Sequence, residues 1–262
     1  MPEVVHVSRE AGVRHLTLNR PELRNAMSLE MVEALLAQLS QAETEGDRMI
    51  VLRGAGGHFC SGGDIKDMGA AQAQPATDTD PVAEVNARFG ALCAAYAETG
   101  LPVVCVVEGA VMGGGFGLAC VADVVIASAS AVFRLPETGL GLVPAQIAPF
   151  LVQRLGYSQA RRLAVTGGKL DVEAALRLGL VHEVVSGEEA LQTALSATVA
   201  QIKKGAPHAI AETKKLVRRA RLEDPASLVA DAAAVFARAA RGPEGAEGMT
   251  AFLEKRKPGW AV

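Results

Sequence analysis

The chain has 262 residues, half of them hydrophobic, with 26 Lys and Arg against 29 Asp and Glu for a net charge of −3. That length buries one large core, or one domain with an appendage. A slightly acidic chain with 4% aromatics lacks the basic grooves and stacking platforms of nucleic-acid binders, so no nucleic-acid partner is expected.

The N-terminal MPEVVHVSREAG has no basic stretch followed by an apolar run, so no signal peptide is read there. VRHLTLN (13–19) alternates as a strand does, and RPELRNAMS follows as a loop. Ser28 is placed to cap a helix whose apolar face carries Val32, Leu35, Leu36 and Leu39. MIVLRG (49–54) reads as a short buried strand, and the glycine-rich AGGHFCSGGDIKDM turns into a short helix. Residues 69–81 have little to bury and are expected to form a mobile loop. Val82, Val85, Phe89, Leu92 and Tyr96 then mark the stripe of a helix, and LPVVCVVEG is a buried strand.

EGAVMGGGFGLACVAD (108–123) opens into another helix, and DVVIAS is a strand. A short strand, a loop and a helix follow in AVFRLPETGLGLVPAQIAPFLVQRLG, with Ser158 expected to cap a further helix. Asp171 is expected to cap VEAALRLG, which stops at Gly179. LVHEVV is a strand, and the pattern is helical from about residue 187 onward. Successive βα units followed by a helical tail predict an α/β domain with a C-terminal helical segment. No apolar run reaches the ~18 residues of a membrane span. The longest, at 101–115, is broken by Glu108 and glycines, so no membrane partner is expected.

Cys60, Cys93, Cys105 and Cys120 form no CxxC pair, and no three of the five histidines share a ligand spacing. No metal is expected, and a reducing, cytoplasmic compartment is.

Two glycine turns share one context. RGAGGHFCSGGDIKDM (53–68) and EGAVMGGGFGLACVAD each follow a buried strand and lead into a helix. The first turn of a helix carries free N–H groups and the positive end of the dipole. Without a Cβ, a substrate can approach that backbone closely. Two such turns facing each other would give one oxygen two N–H donors, the arrangement that stabilises an oxyanion. A dinucleotide fingerprint fails, because Leu118 and Cys120 occupy its third glycine slot in the two possible registers. No Walker loop occurs, and Ser61 is not in a GxSxG elbow. Tight packing of a helix on a sheet remains the plain alternative for these glycines.

FCSGGDIKDM, GAVMGGGFGLACVADVVIAS and FRLPETGLGLVP, in that order, resemble the enoyl-CoA hydratase/isomerase (crotonase) superfamily. NRPELRNAMS near the start and EGMTAFLEKRKPGW at the end extend the likeness over nearly the whole chain. The resemblance implies a crotonase-like spiral of ββα turns over residues 1–195 and a helical trimerisation segment over 196–262. It further implies a homotrimer, or a homohexamer of two stacked trimers. The implied substrate is an acyl-CoA thioester, with CoA arriving as part of it and no separate cofactor.

By family position the amides of Gly63 and Gly114 would form the oxyanion hole, and Glu137 would be the catalytic acid–base. A carboxyl beside Leu135, Leu140 and Leu142 would have a raised pKa suited to that work; read locally, Glu137 is more readily a capping acid, and the resemblance reverses that preference. Well-known hydratases carry a second glutamate three residues beyond the central oxyanion glycine, where this chain has Gly117. One carboxylate is the isomerase pattern, and also that of some hydratases of branched glutaconyl-type thioesters. The sequence looks most like those methylglutaconyl- and isohexenylglutaconyl-CoA hydratases.

The resemblance also places Arg24, Ala26, Ser61, Gly62, Asp64, Ile65, Lys66 and Gly117 around the CoA ester. Phe236 and Lys255 would reach a neighbouring subunit's ligand. The basic stretch KKLVRRARLED (214–224) reads as an outer helix of the assembly or, alternatively, as a membrane-surface helix. Hydration is the expected activity, with Δ3,Δ2-enoyl-CoA isomerisation and non-catalytic acyl-CoA binding as its competitors.

Overall fold

The computed structural model describes residues 3–75 and 78–261. By its internal contacts the chain divides into two units, Met1–Ala97 with Val103–Leu195, and Glu98–Pro102 with Ser196–Val262.

The first unit holds two sheets. The larger orders its strands β1 (Val5–Glu10), β2 (Val13–Leu18), β3 (Met49–Gly54), β4 (Val103–Val107), β6 (Val124–Ser128) and β9 (Glu183–Val185). β1 and β2 pair antiparallel, and every later pair is parallel. The central register runs Leu16↔Leu52, Leu52↔Cys105 and Cys105↔Val125, all buried side chains. Strands covered on both faces need continuous apolar sequence, which is why VVCVV and MIVL show no alternation. The smaller sheet joins β5 (Ala110–Met112), β7 (Val132–Arg134) and β8 (Lys169–Asp171).

The helices between strands follow their caps. α1 (Leu29–Thr44) starts where the Ser28 side chain accepts the Met31 N–H at 3.2 Å, and it buries Met31, Val32, Leu35, Leu39 and Ala42. Leu36 lies at the margin of that face. α2 (Ile65–Gln72), α3 (Pro81–Glu98), α4 (Gly114–Val121), α5 (Ala148–Thr166) and α6 (Val172–Arg177) follow. Asp171 caps α6 as expected, accepting the Ala174 N–H at 2.7 Å.

Under α1, Arg14 of β2 is buried and donates to Asp47 at 2.6 Å, to Gln38 at 2.7 Å and to Glu45 at 2.7 Å. Arg9 binds the other oxygen of Asp47, so this buried carboxylate has two cationic partners.

The structure corrects the expected elements in four places. Val5–Glu10 is a strand, although its polar composition gave no such signal. Residues 69–72 belong to α2 and not to a loop, because the Asp64 cap starts a helix that the alanines extend. Residues 76 and 77 of the expected mobile loop lie outside the described residues. The interruption near Ser158 falls at Gly156, whose φ of +74° and ψ of 160° break α5 within its span. The strand expected at 180–185 is confined to Glu183–Val185.

The second unit holds α8 (Pro207–Ala220), α9 (Pro225–Arg241) and α10 (Pro243–Leu253), after α7 (Glu188–Lys203). The Glu244 carboxylate accepts the N–H groups of His208 and Ala209 at 2.9 and 3.0 Å and so caps α8 from α10. The basic run of α8 is largely paired: Arg218 with Glu98, and Arg219 with Glu223 and Asp231. No helix among the described residues is long and apolar enough to cross a membrane.

Candidate active site

The two glycine turns lie side by side because their flanking strands pair. Cys60 and Val111 form a parallel bridge, in which the Cys60 N–H donates to Ala110 O and the Met112 N–H to Cys60 O, both at 2.9 Å. Phe59 N–H donates to Glu108 O at 2.9 Å, and His58 Nδ1 accepts the Ala110 N–H at 3.1 Å.

The first turn is anchored by the loop before α1. Asn25 is fully buried with a left-handed backbone, φ +56°. Its side chain accepts the Arg20 N–H at 2.8 Å and donates to Ala55 O at 2.9 Å and His58 O at 2.7 Å. Arg20 in turn donates to Ala26 O and pairs with Asp64 at 2.7 Å. Burial pushes the Asp64 carboxyl up. The hydrogen bond from Arg20, the Lys66 and Asp67 amides and the Arg20 charge outweigh that and hold it below the ordinary range.

Beyond this anchor, Met27 pairs with Gly63 in a parallel bridge that uses the Gly62 carbonyl and the Asp64 amide. A parallel bridge of that form turns the N–H of its central residue away from the partner strand. The Gly63 N–H accordingly finds no acceptor among the described residues.

The second turn depends on Gly113. Its φ of +48° and ψ of −115° suit glycine alone. A Cβ there would sit 3.0 Å from Glu137 Oε1 and 3.2 Å from the Gly62 Cα. The two turns and the carboxylate therefore converge on the hollow that this glycine leaves. α4 begins at the next residue, and the Gly114 N–H likewise has no acceptor among the described residues.

Glu137 opens a 3-10 turn, Glu137–Leu140, directly after Pro136, which follows buried Leu135. Its Oε2 is buried without a hydrogen-bond partner. Burial lifts its pKa above the ordinary glutamate value, against the opposing pull of its own backbone amide. Leu140 and Leu142 do not supply that burial, contrary to expectation: they are 62% and 46% exposed, because the turn carries them outward. Glu137 lies against the Gly113 hollow and leaves one oxygen without a hydrogen-bond partner.

Gly117 is buried one turn further along α4, and a Cβ there would meet Phe89 at 3.2 Å and Ile147 at 3.3 Å. A second carboxylate has no room at this position unless those side chains move. Ser61 lies beside Arg24, donating its N–H to Arg24 O and its hydroxyl to Leu23 O, both at 3.0 Å. Arg24, Ile65 and Lys66 are exposed nearby in the chain, and Ala26 is half-buried.

Phe236 and Lys255 belong to the second unit, where Phe236 is 76% exposed and Lys255 has a left-handed backbone. No group of three or more metal-ligating side chains is found among the described residues. The roles of Arg20 and Asn25 were not read from the sequence. Both lie in NRPELRNAMS, where the signal available was an amide and a guanidinium inside a loop expected to touch ligand.

The sequence profile described as Enoyl-CoA hydratase/isomerase matches residues 8–262. A crystal structure of an enoyl-CoA hydratase/isomerase from Marinobacter aquaeolei superposes with a TM-score of 0.96 at 49% identity, covering 99% of this chain and all of that one. The probable enoyl-CoA hydratase of Rhodobacter capsulatus is 35% identical over 248 residues, 94% of this chain and 93% of its own. The 1,2-epoxyphenylacetyl-CoA isomerase of Escherichia coli is 34% identical over 268 residues, 98% of each.

Proposed function

The chain belongs to the enoyl-CoA hydratase/isomerase family, and from that premise we propose that it adds water across the 2,3 double bond of an acyl-CoA thioester, a branched glutaconyl-type ester in particular. The thioester oxygen accepts the N–H groups of Gly63 and Gly114, which polarise the carbonyl and hold the enolate as it forms. The Glu137 carboxylate takes a proton from water as the water oxygen bonds to Cβ. The same carboxyl then delivers that proton to Cα, so one acid handles both halves of one water molecule. Arg24, Ala26, Ser61, Gly62, Asp64, Ile65 and Lys66 border the CoA portion. The Asp64 carboxylate is already engaged by Arg20 and the Lys66 amide, so its part there is through the backbone.

The observation that carries this reading is the unpartnered Oε2 of Glu137, buried beside two turns with open amides. The test is the loss of conjugated-thioester absorbance when the protein meets short, branched and glutaconyl-type 2-enoyl-CoA esters. Absence of any loss across that set sinks the hydratase reading.

A second reading, Δ3,Δ2-enoyl-CoA isomerisation, is favoured by the closed position at Gly117, which leaves a single acid. It is separated from hydration by 18O-labelled water: a hydratase product carries the label, and an isomerase product does not. A non-catalytic acyl-CoA binder would be unaffected in every property by Glu137→Gln. The exposed apolar side chains of the second unit support self-association into a trimer or hexamer.

A further inference from the structure

The first turn of α4 must place several amides that have no intrahelical acceptor. Its N-cap, Gly113, has no side chain, and no side-chain cap closes the helix from that position. The Gly113 N–H goes to Arg134 O at 3.1 Å, and the helical ladder starts with the Gly117 N–H on Gly113 O at 3.0 Å. Of the residues between them, Gly115 packs directly on the Cys60 side chain of the opposite turn. The fit there is tight, since a Cβ on Gly115 would lie 2.6 Å from Cys60 Cβ and 3.3 Å from Sγ.

The Cys60 sulfur accepts the Gly62 N–H at 3.5 Å. Cys60 is fully buried. One thiol thus holds the amide just before Gly63 and packs against the residue just after Gly114.

We propose that Cys60 is a positioning residue for the oxyanion donors: its sulfur takes the Gly62 N–H of its own turn while its side chain packs against Gly115 of the opposite turn, and so holds in place the amides of Gly63 and Gly114 that are presented to the substrate carbonyl. This rests on the reading of those two amides given above. A side chain set between both turns also fixes the separation of the donors, on which stabilisation of a developing charge depends. Sulfur suits the position because it is a weak, long-reach acceptor. Burial pushes this thiol up to about 11, so no negative charge of its own competes with the enolate.

The experiment reads carbonyl polarisation directly. A cinnamoyl-CoA ester with a para-dimethylamino group shifts its absorbance to the red when donors engage its thioester oxygen, whether or not turnover follows. Wild-type protein is expected to give that shift. Cys60→Ala is expected to lose at least half of it and to lower kcat about 10- to 100-fold, with KM for a 2-enoyl-CoA ester nearly unchanged. Cys60→Val fills the hollow without offering an acceptor, and is expected to lose the shift as well should the alanine variant fold poorly. Cys60→Ser offers an acceptor again and is expected to recover part of both signals.

Cys93→Ala, which empties a buried site elsewhere in the core, controls for lost volume and should keep the full shift. Wild-type shift and kcat in Cys60→Ala or Cys60→Val would overturn the proposal, leaving Cys60 as core filling. A wild-type protein that binds the probe with no shift removes the oxyanion reading itself, a result distinct from equality among variants.

Discussion

Glu137 is a carboxyl that the fold makes uncomfortable. Its pKa is raised by burial, and one of its oxygens has no partner. Replacing it with glutamine keeps the shape and removes both the charge and the proton traffic. Turnover is expected to fall ~100- to 10,000-fold, while CoA-ester binding measured by calorimetry persists. Undiminished turnover would remove Glu137 from the chemistry.

The sign of the pH effects follows from the raised value. The native state holds this proton to higher pH than the unfolded chain does, so stability drawn from it is complete at low pH and is lost as pH rises through the folded pKa. Above that point Glu137→Gln should melt higher than wild type, and below the ordinary glutamate range the two should converge. Activity runs the other way. In the proposed reaction the carboxylate is the base, so kcat/KM should fall on the acid side at a pH above the usual glutamate value. An acid limb at or below that value would contradict the assignment. Gly113→Ala belongs to the same scale: it strains a left-handed backbone by ~1–3 kcal/mol and places a methyl against Glu137 Oε1. It should lower both the melting temperature and turnover.

At the level of elements, the loop from Arg20 to Met27 acts as a clamp on the first glycine turn. Asn25 is its pin, with three hydrogen bonds reaching Arg20, Ala55 and His58. Asn25→Ala strands two part-buried carbonyls and one amide, each costing up to about 1–3 kcal/mol if left unpaired. It should lower stability and kcat together, whereas Asp47→Asn, in the ion network beneath α1, should lower stability alone. The second change takes the carboxylate charge from between Arg9 and Arg14, while Arg14 keeps Glu45 at 2.7 Å, a loss of about 1–3 kcal/mol seen in denaturant midpoints. Equal effects of the two on kcat would show that the loop does not set the site.

These elements also mark what could be read in advance. β3, β4 and β6 were legible because strands buried on both faces advertise themselves as unbroken apolar runs. β1 was not, because an edge strand with Arg9 and Glu10 facing solvent carries no such run. Ser28 and Asp171 could be recognised as caps because a cap acts within three residues. Asn25 and Cys60 could not be given their roles. Their partners lie 30 to 55 residues away, at Ala55, His58 and Gly115, and only the pairing of strands brings them there. Glu137, Gly63 and Gly114 were found through the resemblance. Local context alone suggested paired amides in the two glycine turns, with packing as the alternative, and left the carboxyl as a cap.

On the scale of the whole molecule, the unanswered surface is that of the C-terminal helices. Phe236, Phe252 and Leu253 are 76%, 83% and 80% exposed, with Val217 and Val229 at 67% each. Large side chains left in water on three successive helices cost apolar burial that a second copy of the chain can recover, at roughly 1.5–3 kcal/mol for each residue fully covered. The self-association proposed above therefore predicts more than one subunit in solution by light scattering. Phe252→Glu should shift that mass toward the monomer, since a buried charge at an interface is not tolerated without a partner. Loss of the assembly should also weaken CoA-ester binding if Phe236 and Lys255 serve a neighbouring subunit's ligand. In that case the Phe252→Glu monomer would show a raised KM, and Glu137→Gln, at full mass, would not. A wild-type chain that scatters as a monomer at all concentrations would leave these faces unexplained and would return Phe236 and Lys255 to the role of surface residues.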